Sequence, residues 1–142
     1  MNTIALISCV SKKRDCRTQA ENMYTSPLFI KSLAYVKIVL KPFKAYILSA
    51  KHGLLELDDE IDTYDETLNG KTKKHKIEWS NHVFQQLSIK CNTDTDKFIF
   101  LAGQNYYEHL IDKLPNHKIL MKGLRIGEKL QWLNGELVKW GT

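Results

Sequence analysis

Four short, unbroken apolar runs, at residues 3–7, 45–49, 97–102 and 118–121, each precede a segment with helical periodicity. Runs of this length without alternation are what strands covered on both faces look like. Strand and helix in strict alternation predict an α/β fold: a mainly parallel central sheet of about four strands, flanked by helices. In such a sheet the crossover rule puts the strand-to-helix loops along one edge, where open α/β sheets hold their ligands.

The helices are read from their ends and faces. Ser26 is placed to cap and Pro27 to open a helix, since the first helical N–H has no partner to lose. Leu28, Phe29, Leu33, Val36, Val39 and Leu40 then fall on one arc, and Pro42 stops the run. A second helix is expected over about 75–90, with Ile77, Trp79, Val83, Phe84 and Leu87 on one face. Further helices are expected over 106–114 and 128–133. Between the second strand and its helix, residues 56–70 read as irregular, a candidate mobile flap, and Gly53 as the pivot of a turn that a Cβ would resist.

At 142 residues, with 43% apolar and 26% charged side chains, the chain can bury a core in one domain over 1–142, without disulfide or metal support. No run approaches the roughly 18 apolar residues of a membrane span, and the start has no basic leader segment, so a cytoplasmic protein without a membrane partner is expected. Its cysteines, Cys9, Cys16 and Cys91, form no CxxC pair, which argues against a zinc knuckle and a disulfide framework. His75 and His82 stand two helical turns apart with no carboxylate at ligand spacing, so neither a metal nor another cofactor is expected.

The net charge of +5 is moderate, and its distribution matters more than its size. Residues 11–14 and 71–76 are basic, and 56–62 are acidic. All three can be solvated loops; two basic runs on one small domain also suit a phosphate-bearing partner.

Four polar segments follow the four strands: 8–13, 49–53, 103–107 and 122–127. A parallel sheet would bring them together, along with helix N-termini near Tyr106 and Glu128 that favour anions. Within them, Cys9 is either a nucleophile or a small buried thiol, with Ser8 beside it. His52, with Ser49 and Lys51, offers acid/base or electrostatic groups, or a structural turn. Tyr64 and Asp65 lie in the acidic segment, where a carboxylate over the cleft could steer water and a solvated loop would do nothing. Gln104, Asn105 and Tyr106 can read and stack on a base, though Asn105 can equally cap its helix. Gly103, Gly123 and Arg125 allow close backbone approach and a phosphate contact, with no Walker or GxGxxG spacing.

The segment ILSAKHGLLELDDEIDTYDETLNG resembles the central motif of the peroxide-stress protein family. The opening LISCVSKKRDCRTQAENMYTSPLF and the closing KGLRIGEKLQWL resemble a compact, largely uncharacterised bacterial and phage family related to it. The cysteine with following lysines is similar, more distantly, to the archaeosine synthase core domain. The resemblance implies a uracil-DNA-glycosylase-like three-layer sandwich with base-handling loops at strand ends. Positions matching the pattern are Ser8, Cys9, Lys13, Tyr24, Ser26, Leu48, Ser49, His52, Gly53, Leu54, Tyr64, Gly123 and Gly127. Thr63 replaces a usual proline and His52 an aromatic. Ser8-Cys9-Val10 occupies the loop where glycosylases carry a water-activating Gly-x-Asp-Pro-Tyr motif.

The expectation is a nucleobase-directed enzyme acting on DNA, cleaving or exchanging the N-glycosidic bond of a modified base. Ser8, Cys9, Ser49, His52, Tyr64 and Asp65 are its candidate catalytic residues. Lys12, Lys13, Tyr24, Lys51, Gly103, Gln104, Asn105, Tyr106, Gly123 and Arg125 are its candidate nucleic-acid contacts. A non-catalytic DNA-binding stress or repair module and a small nucleotide-binding protein are the alternatives.

Overall fold

The computed structural model describes residues 1–8 and 13–140. Its main sheet has five strands, one more than expected, in the order β4-β3-β1-β6-β7. β1 (Thr3–Ser8) lies between β3 (Lys44–Ser49) and β6 (Lys97–Leu101), and β7 (His117–Ile119) flanks β6; these four are parallel. The fifth strand, β4 (Gly53–Glu56), is antiparallel to β3 along one edge. Its residues resembled a closing loop because a tight turn at 50–52 folds the chain straight back. Gly53 adopts φ +75° there, where a side chain would be strained.

Alternation along β1 splits the core into two faces. Ile4 and Leu6 join Leu48, Phe98, Phe100, Trp79, Val83 and Leu87 on the side of α3 (Lys73–Lys90) and α4 (Gln104–Tyr107). Ala5 and Ile7 join Ile47, Ile99, Phe29, Val36 and Leu133 on the other side. That second layer comprises α1 (Ala20–Met23), α2 (Pro27–Tyr35) and α5 (Ile126–Lys139). The chain is thus an α/β protein whose mostly parallel mixed sheet carries helices on both faces. Asp96, buried before β6, accepts from the backbone N–H groups of Asn2 and Asn92 at 2.9 Å each, and registers the start of β1 against β6. These bonds hold its carboxyl below the usual range.

Ser26 caps α2 through Phe29 N–H at 3.2 Å, as its sequence indicates. The helix continues as a wider π turn over Val36–Leu40 and stops at Lys41, whose φ of +46° closes it just before Pro42. α2 packs on α5, where Lys31 Nζ reaches Asn134 Oδ1 at 2.6 Å and Tyr35 tilts against Trp132.

Three helix boundaries differ from expectation. α3 starts at Lys73, because Thr72 caps it through His75 N–H at 3.1 Å; much of the basic run 71–76 is therefore helical, and Ile77 is on its open side. The expected helix over 106–114 is instead the single turn of α4, followed by a 3-10 turn at Ile111–Lys113. α5 is far longer than 128–133, because its inward stripe continues past Leu133 to Leu137. Residues 56–70 are not a free flap. β5 (Glu60–Ile61) pairs antiparallel with β2 (Thr18–Gln19), and Ile61, Tyr64 and Leu68 are buried. Among the described residues, no helix is long and apolar enough to cross a membrane.

Candidate functional site

Because β3 and β6 lie on opposite sides of β1, the chain direction across the sheet reverses between β1 and β6. At such a switch point the loops leaving adjacent strands diverge and open a crevice at the carboxyl edge. A cleft of about 610 Å³ lies there. Its floor is the strand edge, from Ser8 on β1, Leu101 at the end of β6, and Ala102 and Gly103 just beyond it. Ser8 Oγ accepts from Gly103 N–H at 3.1 Å and ties the two strand ends together.

The segment from Tyr64 to Asn69 straps this edge. Tyr64 packs in the core on the α2 side and Leu68 in the core on the α3 side, so the strap crosses from one layer to the other. Between these anchors it presents Asp65, Glu66 and Thr67 to the cleft, and Asn69 follows. Asn69 Oδ1 accepts from Asn105 Nδ2 at 2.7 Å, while Asn105 Oδ1 accepts from Lys76 Nζ at 2.9 Å. Asn105 therefore joins strap, α4 and α3; it does not cap α4, whose N-cap position is Gly103.

Below the strap runs a buried hydroxyl chain. Ser49 Oγ donates to Tyr64 Oη at 2.9 Å, and Tyr64 Oη lies 2.7 Å from Tyr24 Oη. Ser49 Oγ also accepts from His52 N–H at 3.1 Å, and the Ser49 carbonyl accepts from Trp79 Nε1 at 2.9 Å. Ser49, Tyr24 and Tyr64 are thus cross-braces beneath the cleft and do not line it. The His52 ring meets the Tyr64 ring edge-on at 5.5 Å, with its Nε2 buried and no hydrogen-bond partner among the described residues. Burial, and then the Lys51 charge, push its pKa below the ordinary value, so the ring is neutral.

The expected site residues separate accordingly. Ser8, Lys13, Asp65, Gly103, Gln104, Asn105 and Tyr106 line one cleft. Lys13 Nζ also sits 4.7 Å from the centroid of the Tyr64 ring. Ser49, His52, Tyr24 and Tyr64 form the support. Lys51 is exposed in the β3–β4 turn, and Gly123 and Arg125 sit in the β7–α5 turn, none of them among the lining residues. Gly123 has φ +79° and open space beside it, so its role is the turn and not a close approach. The proposed nucleophile Cys9 and the contact Lys12 lie outside the described residues.

The anion sites expected at helix N-termini do not form as drawn. α4 is a single turn, and the α5 terminus is occupied by its own Glu128, whose Oε1 accepts from Arg125 N–H at 2.9 Å.

Two further residues bear on the cleft, one behind its wall and one in its lining. Trp79, whose spacing marks only a core face, braces Ser49 and packs edge-on against Tyr106 at 5.5 Å. Lys129 lines the cleft. It stands one helical turn before the fully buried Leu133, so it breaks the apolar inward stripe of α5.

One sequence family, described as a family of unknown function (DUF6884), matches residues 4–135. The chain belongs to that family. The match runs from the first strand into the last helix, so every cleft-lining residue falls within it. No curated protein matches the chain.

Proposed function

We propose that this member of the family acts on a nucleobase in DNA, hydrolysing the N-glycosidic bond of a modified base drawn into the strand-end cleft. The observation that carries this reading is the strap, which holds the carboxylates of Asp65 and Glu66 over the same cleft as Gln104, Tyr106 and two lysines. A carboxylate so placed can accept a proton from water as its oxygen attacks C1′ of the sugar. The C1′–N bond breaks, and the base leaves with the bonding pair and gains a proton. Gln104 supplies amide groups to read a base edge, and the exposed Lys71, Lys73 and Lys74 beside Asn69 suit flanking phosphates. Helices on both faces of the sheet agree with the uracil-DNA-glycosylase-like sandwich implied by the sequence motifs, and that relationship is part of the proposal. So are the single domain and the cytoplasmic location.

The test is incubation with oligonucleotides bearing modified and ordinary bases, followed by alkali to break the strand at abasic sites. Asp65→Asn should lower the rate by about 10²-fold or more if its carboxylate handles water. Strands that stay whole across a broad panel of bases would remove the reading. A free nucleotide is the second reading, favoured by the cleft volume, which falls in the usual range for small-molecule sites. Thermal stabilisation by nucleotides but not by DNA would select it.

A further inference from the structure

Lys129 is a half-buried lysine on the inward stripe of α5, and it lines the cleft near the strand edge marked by Ser8. Among the described residues its ammonium has no ion-pair or hydrogen-bond partner; the carboxylates engaged in ion pairs lie elsewhere, as in Lys37–Glu21 and Lys44–Glu56. Burial alone pushes its pKa below the ordinary value. A partly desolvated ammonium without a counter-charge is unfavourable, and the missing charge is one that a ligand can bring. Lys13 lines the same cleft and likewise has no carboxylate within ion-pair distance among the described residues. Both cations belong to the layer of α2 and α5: Lys129 through its helix, and Lys13 through its bridge to Tyr24. Asn105 and Tyr106 come instead from the α4 side. The cleft is therefore polarised, cationic towards one layer and amide and aromatic towards the other, with Asp65 and Glu66 of the strap also on its rim but in no ion pair with either lysine among the described residues.

We infer that Lys129, together with Lys13, forms an anion subsite that takes a phosphate of the nucleotide unit whose base lies towards Gln104, Asn105 and Tyr106. The inference rests on the nucleobase reading and narrows it. The preferred ligand carries a phosphate, and a bare nucleoside or free base leaves Lys129 without a counter-charge.

Isothermal titration of the full chain with the common deoxynucleosides, their 5′-monophosphates and inorganic phosphate tests it. At least one monophosphate should bind about tenfold or more tighter than its nucleoside, the gain expected of a charge-assisted contact. Lys129→Met, which keeps the stem and removes the charge, should reduce that ratio to near unity while leaving the melting temperature unchanged or higher. Lys13→Met should reduce it in part. Failure of every monophosphate to bind overturns the subsite, and so does a ratio that survives Lys129→Met. Phosphate preference lost in Lys129→Met, with no base released from any oligonucleotide, would keep the subsite and remove the glycosidic reading. Base release that is indifferent to Lys129→Met would do the reverse.

Discussion

Replacing Tyr64 with Phe removes one oxygen and keeps the ring, so it isolates the hydroxyl chain below the cleft. Tyr64 is 7% exposed, and its Oη meets Ser49 Oγ at 2.9 Å and Tyr24 Oη at 2.7 Å. Both partners are buried. Leaving a buried donor or acceptor without its bond costs about 1–3 kcal/mol. Ser49 keeps the bond from His52 N–H, which places the expected loss near the middle of that range. Urea unfolding is the assay: with a slope of about 1–3 kcal/mol per molar, the midpoint should fall by roughly 1 M at constant slope. The loss should couple to Tyr24→Phe, because both substitutions break one shared contact; the double variant should be less destabilised than the sum of the singles. Tyr64 also anchors the strap beside Asp65, so ligand affinity should fall with stability. A Tyr64→Phe protein within about 0.5 kcal/mol of the parent, the usual effect of a neutral surface change, would refute the cross-brace.

Two further outcomes follow from the same region. Gly53→Ala should destabilise the chain by about 1–2 kcal/mol from its left-handed backbone alone. The loss should be larger still, because the new Cβ would run into Gln86 Oε1, the acceptor of Leu54 N–H, and fall 2.9 Å from His82 Cδ2; thermal unfolding measures both together. His52 has a folded-state pKa below the ordinary 6.5, so the unfolded chain takes up its proton first as pH falls. Its contribution to stability is complete above 6.5 and is lost between that value and the lower folded one, with a slope of at most about 1.4 kcal/mol per pH unit. Unfolding free energies across that window should show this slope in the parent and lose it in His52→Gln; an unchanged slope would mean that His52 is not the group.

The amino-acid sequence by itself determined the alternation of strand and helix, the Ser26–Pro27 helix start and the left-handed turn at Gly53. Each depends on contacts within a few residues: a cap and its N–H groups, an apolar run, a backbone angle only glycine takes freely. It also placed Ser8, Asp65 and Gly103 to Tyr106 at strand ends or in the loop that could reach them, since strand direction follows from the alternation. The antiparallel edge strand β4 and the β2–β5 ribbon were hidden, because pairing between segments as far apart as Thr18 and Ile61 leaves no periodicity in either. Only the tertiary structure decided which polar residues line the cleft and which brace it. Tyr64 and Asp65 are adjacent in the chain, yet one points into the core and the other lines the cleft, because the strap must bury its anchors to cross the sheet edge. Lys129 shows the same dependence: its place on the cleft and its half-burial come from the packing of α5, and among the described residues no carboxylate pairs with it.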